Sequence, residues 1–196
     1  PASKIAVALR GVSIGYNGVP VVEDIDLEIF AGEILFIGGG SGCGKTTLLS
    51  SLNTLRPPIS GSIKIDGIEI VGADQETLQS VRRRFGMMYQ LGALFGGMTL
   101  LDNVRLPLEE FTDLDRASMD EVARAKLGLV GLGEHALKQP SEISGGMQKR
   151  AAIARALALD PQIIFLDEPS AGLDPVTSAD LDALIAAMSD GDADHR

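Results

Sequence analysis

The sequence predicts an α/β fold with a mostly parallel core sheet, an N-terminal antiparallel β subdomain and an inserted α-helical subdomain. Three observations lead there. Short alternating apolar runs fill residues 4–33; continuous apolar runs at "ILFIG" (34–38) and "QIIFLDEP" (162–169) end in a glycine loop and in a pair of acids; and from 91 to about 159 the apolar spacing becomes helical.

In chain order, "KIAVALRGVSIGYNGVPVVEDIDLEIFAGE" (4–33) alternates and is broken by Gly and Asn at turn-like points, the pattern of antiparallel strands. "ILFIG" then reads as a buried strand entering the loop "GGSGCGKTT" (39–47), after which "KTTLLSSLNTL" (45–55) has helical spacing. "GSIKIDG" (61–67) and "FGMMYQ" (85–90) read as short strands. Gly and Pro punctuate helices expected near 100–110, 116–130 and 146–158. "QIIFLDEP" returns to a buried strand, and a last helix is expected from Thr177 to Met188.

With 196 residues and 45% hydrophobic content, the chain is expected to form a single domain over 1–196, its helical part spanning about 91–159. A formal net charge of -10 argues against a duplex-binding surface, since such affinity comes from Lys and Arg neutralising phosphates. No nucleic-acid partner is expected. The one cysteine, Cys43, has no partner for an internal disulfide, which fits a reducing compartment. No apolar run is long enough to span a bilayer, so any role at a membrane is expected to pass through a partner. The closing "SDGDADHR" has the polar character of a loop or frayed end.

Gly39, Gly44, Lys45 and Thr46 satisfy G-x-x-x-x-G-K-[ST]. Small residues let the backbone curl so that several N–H groups face one anion, Lys45 adds a point charge near the β and γ phosphates, and the Thr46 hydroxyl can ligate Mg²⁺. A nucleoside triphosphate is the implied ligand. Asp167 and Glu168 end an apolar strand, where a carboxylate faces a desolvation cost unless paired. A metal ion suits Asp167; Glu168, on the other side of the strand's alternation, can polarise an attacking water.

"ISGGMQKR" (143–150) supplies a capping Ser and two glycines ahead of a helix, the requirements of an anion site at a helix N-terminus. Taken alone, the motif describes any N-capped surface helix. Taken in order, "GGSGCGKTT", Gln90, "ISGGMQ", "IIFLDEP" and "SAGLDP" (170–175) resemble the ATP-binding subunit of the ABC transporter superfamily, a P-loop NTPase of ABC type, over residues 4 to 190.

That resemblance implies a nucleotide site of Gly39, Gly40, Ser41, Gly42, Cys43, Gly44, Lys45, Thr46 and Thr47, with Tyr16 stacking on adenine. It implies Glu168 as catalytic base beside Lys45, and Thr46, Gln90 and Asp167 around Mg²⁺, with ATP as substrate. Ser144, Gly145, Gly146 and Gln148 would contact ATP held by the opposite subunit of a head-to-tail homodimer, and "SAGLDP" would line the seam. "RRRFGMMYQLGALFGGMTLLDNVRLPLEE" (82–110) and "ISGGMQKRAAIARALALDP" (143–161) resemble more narrowly the ATPases of MCE-type lipid transporters. The implied partners are a permease meeting the Gln90–Phe95 region through Leu94 and Phe95, and an MCE-type lipid-binding protein. The implied location is peripheral, on the cytoplasmic face of the inner membrane.

Two departures stand out. Position 147 is Met where many family members have Gln, and the switch histidine expected thirty-odd residues after the catalytic acid is missing: His195 comes too early, and His135 precedes the signature. The chain is therefore expected to be cut short at its C-terminal end. The alternative, an ABC ATPase acting as a switch on DNA or ribosomes, lacks its marks here: no sustained heptads separate Lys45 from Ser144, and there is one ATPase unit with an acidic balance.

Overall fold

The computed structural model describes residues 4–90 and 92–191, with side chains to 188. The chain divides into two compact units, residues 1–82 with 189–196 and residues 83–188.

The first unit is built on a four-stranded antiparallel sheet in the order β2, β1, β3, β4, formed by β1 (Ile5–Tyr16), β2 (Val19–Phe30), β3 (Ser60–Ile65) and β4 (Ile68–Glu69). The β1–β2 hairpin turns on Asn17 and Gly18, both left-handed (φ 52° and 79°), with Tyr16 facing Val19. An Asn-Gly pair does this because its positive φ values match the twist of the flanking strands. Alternation along β1 sends Val7, Leu9, Val12 and Ile14 into the core, with Ile63 and Ile65 of β3. Helix α1 (Lys45–Leu52) packs on β1, burying Leu48 and Leu52. Helix α2 (Gln75–Arg82) was not anticipated; Asp74 caps it by accepting from the Thr77 N–H at 2.8 Å.

The strand expected at 34–38 does not form. Ile34, Leu35, Phe36 and Ile37 are exposed, Phe36 at 89%, and residues 33–40 have no ladder partner among the described residues. Apolar, β-branched composition makes a segment fit for a strand, but only a neighbouring strand that takes its N–H and C=O groups makes it one. The parallel part of the sheet is correspondingly a two-stranded ladder.

That ladder, β5 (Phe85–Met88) beside β6 (Ile163–Leu166), lies in the second unit, with helices α3 (Leu100–Phe111), α4 (Arg116–Leu129), α5 (Gly145–Ala156) and α6 (Pro175–Gly191). All four helices begin at a residue able to cap them. Thr99 and Asp102 form a capping box on α3, Asp115 caps α4 and Ser144 caps α5; Asp174 accepts from the N–H groups of Val176 and Thr177, each at 3.1 Å, at the start of α6. Each such cap contributes about 1 kcal/mol. The Asp174 carboxyl is held below its ordinary range, chiefly by the Thr177 hydroxyl and N–H.

The core of this unit gathers Val104 and Leu108 of α3, Leu127 of α4, Ile153 of α5 and Leu181 of α6 around Met88. Arg105 fastens α3 to α4: its guanidinium reaches Asp102, Glu109 and Asp120, each at 2.6 Å. Among the described residues, no helix is long and apolar enough to cross a membrane.

Candidate nucleotide and signature sites

In the first unit, Gly44 leads into α1 in a left-handed conformation (φ 102°) and, as a glycine at the N-cap, supplies no side-chain cap of its own. A Cβ at Gly44 would lie 2.7 Å from Val22 Cγ2, so the position needs glycine on two grounds. The N–H groups at a helix N-terminus carry the positive end of the helix dipole, which suits an anion. The Lys45 ammonium folds back on its own loop and donates to the carbonyls of Gly39 at 2.7 Å and Gly40 at 3.1 Å.

The Tyr16 hydroxyl lies 3.1 Å from Thr47 Oγ1, and the Arg56 guanidinium covers the Tyr16 ring at 4.4 Å from its centroid. Sequence reasoning missed Arg56. Nothing in spacing signals it, since the hairpin fold is what brings the ring to the end of α1. Cys43 is exposed, with its sulfur 3.9 Å from Lys45 Nζ. A thiol reagent is expected to block ATP binding, and ATP to slow the labelling; labelled protein that still binds ATP normally would place the thiol away from the phosphates.

In the second unit, ladder register explains which residues meet. Met88 pairs with Leu166, and the Asp167 N–H continues the ladder to the Met88 carbonyl at 2.9 Å. The same offset sets Gln90 opposite Glu168. The Gln90 amide donates to Glu168 Oε2 at 2.7 Å, so both residues stand at the C-terminal ends of paired parallel strands, where open α/β sheets bind ligands. Asp167 is 5% exposed while Glu168 is exposed. The two acids are separated as expected, but strand alternation is not the cause: Glu168 is left-handed (φ 48°), a conformation that costs a non-glycine residue of order 1 kcal/mol and collects at functional sites.

Ser144 caps α5 by accepting from the Met147 N–H at 3.3 Å. The two glycines after it differ. A Cβ on Gly146 would lie 2.5 Å from Thr177 Cγ2, so this glycine lets α6 approach; a Cβ on Gly145 would meet nothing within 4 Å. The Gln148 amide donates to the Pro140 carbonyl at 2.9 Å. Gln90, Gly145, Lys149 and Leu173 line one cavity of about 340 Å³, which brings the Gln90 loop, the start of α5 and the "SAGLDP" loop together. His135 ends a short 3-10 turn, Gly133–His135, and is half-buried. His195 lies outside the described residues, as does Leu91 within the Gln90–Phe95 region.

Lys149 and Arg155 were also missed. Both are cations on α5 drawn to main-chain carbonyls; burial pulls the Lys149 ammonium below its ordinary value, with Glu168 and Asp167 opposing, and it lowers Arg155 likewise. Lys149 shares a helix face with the buried Ala152 and Ile153, a spacing by which the sequence could have shown it as an inward-facing cation.

Residues 22–171 match the family described as ABC transporter. The chain belongs to the ABC transporter family. It is 46% identical over 181 residues to the probable ribonucleotide transport ATP-binding protein mkl of Mycobacterium leprae, covering 92% of this chain and 52% of that protein. It is 42% identical over 183 residues to the intermembrane phospholipid transport system ATP-binding protein MlaF of Escherichia coli K12, covering 93% of this chain and 68% of that protein. The chain thus spans about half the length of the mycobacterial relative. An ATP-binding cassette solved as a dimer in a post-hydrolysis state with ADP and Pi superposes with a TM-score of 0.85 at 32% identity, covering 95% of this chain and 84% of that one. The α/β fold class of an ABC ATPase, with its antiparallel N-terminal sheet and inserted helices, is therefore that of this ABC transporter chain.

Proposed function

We propose that this chain is the ATP-hydrolysing subunit of an ABC transporter that drives lipid movement through a partner permease. The observation that carries the reading is the Gln90–Glu168 contact at 2.7 Å, at the strand ends beside the buried Asp167. An amide donor on one carboxylate oxygen orients that carboxylate toward the role of a base for water.

In this reading residues 39–47 hold the triphosphate, through the backbone of the glycine loop at the N-terminus of α1 and through Lys45 once it turns from its own loop carbonyls. Tyr16, backed by Arg56, stacks on adenine. Thr46, Asp167 and the amide oxygen of Gln90 would hold Mg²⁺, as the resemblance to the family implies. The donor set fits: hydroxyl, carboxylate and amide supply only oxygen, and Mg²⁺ takes few protein ligands, completing its shell with phosphate and water. When bound, Mg²⁺ would neutralise charge developing on the phosphates. Glu168 accepts the proton of the attacking water.

Ser144, Gly145, Gly146 and Gln148 act on ATP of a second copy. The open space at Gly145 supports this, because nothing among the described residues requires a glycine there, whereas a phosphate approaching the helix N-terminus would. A partner's helix N-terminus adds donors at the γ phosphate and excludes water, which strengthens each electrostatic contact. ATP therefore closes the homodimer, and hydrolysis opens it. The solved cassette of similar fold is itself a dimer, which supports a dimeric assembly.

Phe95, 57% exposed beyond Gln90, offers apolar contact to the permease, on the cytoplasmic face of the inner membrane, whereas Leu94, expected beside it, is partly buried against the core of the second unit; an MCE-type lipid-binding protein completes the assembly. The relatives' names point to different cargoes, phospholipid for one and ribonucleotide for the other. Two measurements test the reading. Phosphate release from ATP should require Mg²⁺ and stop on chelation; release that persists without the metal would remove the assigned site. Mass spectrometry of the complex purified from membranes should find bound lipid, and nucleotide cargo in its place would overturn the lipid assignment.

A further inference from the structure

Residues 92–99, between β5 and α3, are irregular backbone, so their N–H and C=O groups need partners outside a ladder. Two side chains, Arg155 and Asn103, supply partners there, and a third, Lys149, holds Gln90 at the start of the loop. Lys149, 8% exposed, donates to the Gln90 carbonyl and, at 3.3 Å, to the Glu168 carbonyl. Farther along the same helix, Arg155 spreads its guanidinium over the carbonyls of Gly92 and Ala93, at 2.8 Å each. Asn103, fully buried in α3, accepts the Phe95 N–H at 2.7 Å and donates to the Phe95 carbonyl at 3.1 Å.

Backbone strain lies at the point gripped. Gly92 and Ala93 are successive left-handed residues (φ 71° and 47°), and for alanine this conformation persists only where its surroundings over-determine it. The planar fork of Arg155, aimed at both carbonyls, does so. Burying cations is costly, and an apolar side chain would fill the same volume of α5 without that cost. What the two cations add is their hold on this loop.

We propose that Lys149 and Arg155 are positioning residues that bind the Gln90 loop to α5, so that a push on Phe95 reaches Gln90, Glu168 and the Ser144 end of the helix as one movement. This deepens the reading of Gln90, Glu168 and Phe95 given above and rests on it. Neither cation needs to touch nucleotide. The coupling runs through main-chain carbonyls, so it depends on the donors and not on which side chains the loop carries.

The test compares the full chain with its Lys149→Met, Lys149→Arg and Arg155→Lys variants, by ATP turnover and by amide hydrogen exchange. Lys149→Met is expected to lower kcat about ten- to hundredfold, as a small misplacement of a catalytic group does, while KM for ATP stays within about twofold. Exchange at residues 92–95 should quicken about tenfold while the amides of α5 keep their protection. Lys149→Arg, which retains a cation, should recover turnover; Arg155→Lys, a point donor in place of a fork, should quicken exchange at Gly92 and Ala93. Equal loss of protection along α5 would mean a packing role and overturn the proposal, as would unchanged exchange at 92–95 or unchanged kcat. Should the wild-type chain fail to hydrolyse ATP, the assignment of Glu168 falls, while the exchange data still decide whether the two cations hold the loop.

Discussion

Glu168→Gln is expected to abolish turnover while ATP binding survives, so that an ATP-bound dimer accumulates. The substitution preserves shape, and a glutamine oxygen can still accept from the Gln90 amide where Glu168 Oε2 does now, at 2.7 Å. The carbonyl of residue 168 is untouched, so Lys149 keeps its main-chain partner. What is lost is a group able to take a proton from water. General-base removal costs about 10²- to 10⁴-fold in rate, which corresponds to roughly 3–5 kcal/mol of transition-state stabilisation. Phosphate release measures the loss, and light scattering with ATP measures the dimer. A variant that turns over normally would take the base role from Glu168 and leave its contact with Gln90 as structural.

How much of this was legible before the fold was known depends on how local each signal is. The helices from α3 to α6 were readable because their apolar spacing and capping residues sit within a few positions of one another, as Thr99 and Asp102 do. The segment 34–38 was misread because composition reports fitness for a strand, while formation depends on a neighbour far along the chain. Glu168 was legible as an acid ending an apolar strand and Gln90 through resemblance to a family, yet the reason they meet is the register pairing Met88 with Leu166. Lys149, Arg155 and Arg56 escaped notice because their partners are main-chain carbonyls or a ring brought near by folding. No motif encodes a carbonyl, since every residue has one.

Ser144→Arg is expected to separate the two halves of the proposed site. Within the chain the change is modest: the cap on the Met147 N–H is lost, worth about 1 kcal/mol, and a cation stands at the positive end of the helix, costing up to about 1 kcal/mol more. The folded chain tolerates such a sum, because Ser144 is exposed and the core residues of α5 lie farther along it. The loop at 39–47 is unaltered, so the monomer should bind ATP with unchanged affinity. Across the seam the effect is large, since a long charged side chain occupies the space that the open face of Gly145 leaves for a partner's phosphates. Dimerisation with ATP should disappear, and turnover should fall to the level of isolated monomers. Equilibrium binding of a fluorescent ATP analogue, set beside light scattering and phosphate release, distinguishes the outcomes. Loss of binding together with turnover would indicate damage to the chain's own fold, and turnover that survives would mean that a second copy is not required. The open space at Gly145 beside the crowded one at Gly146 is the reason to expect neither.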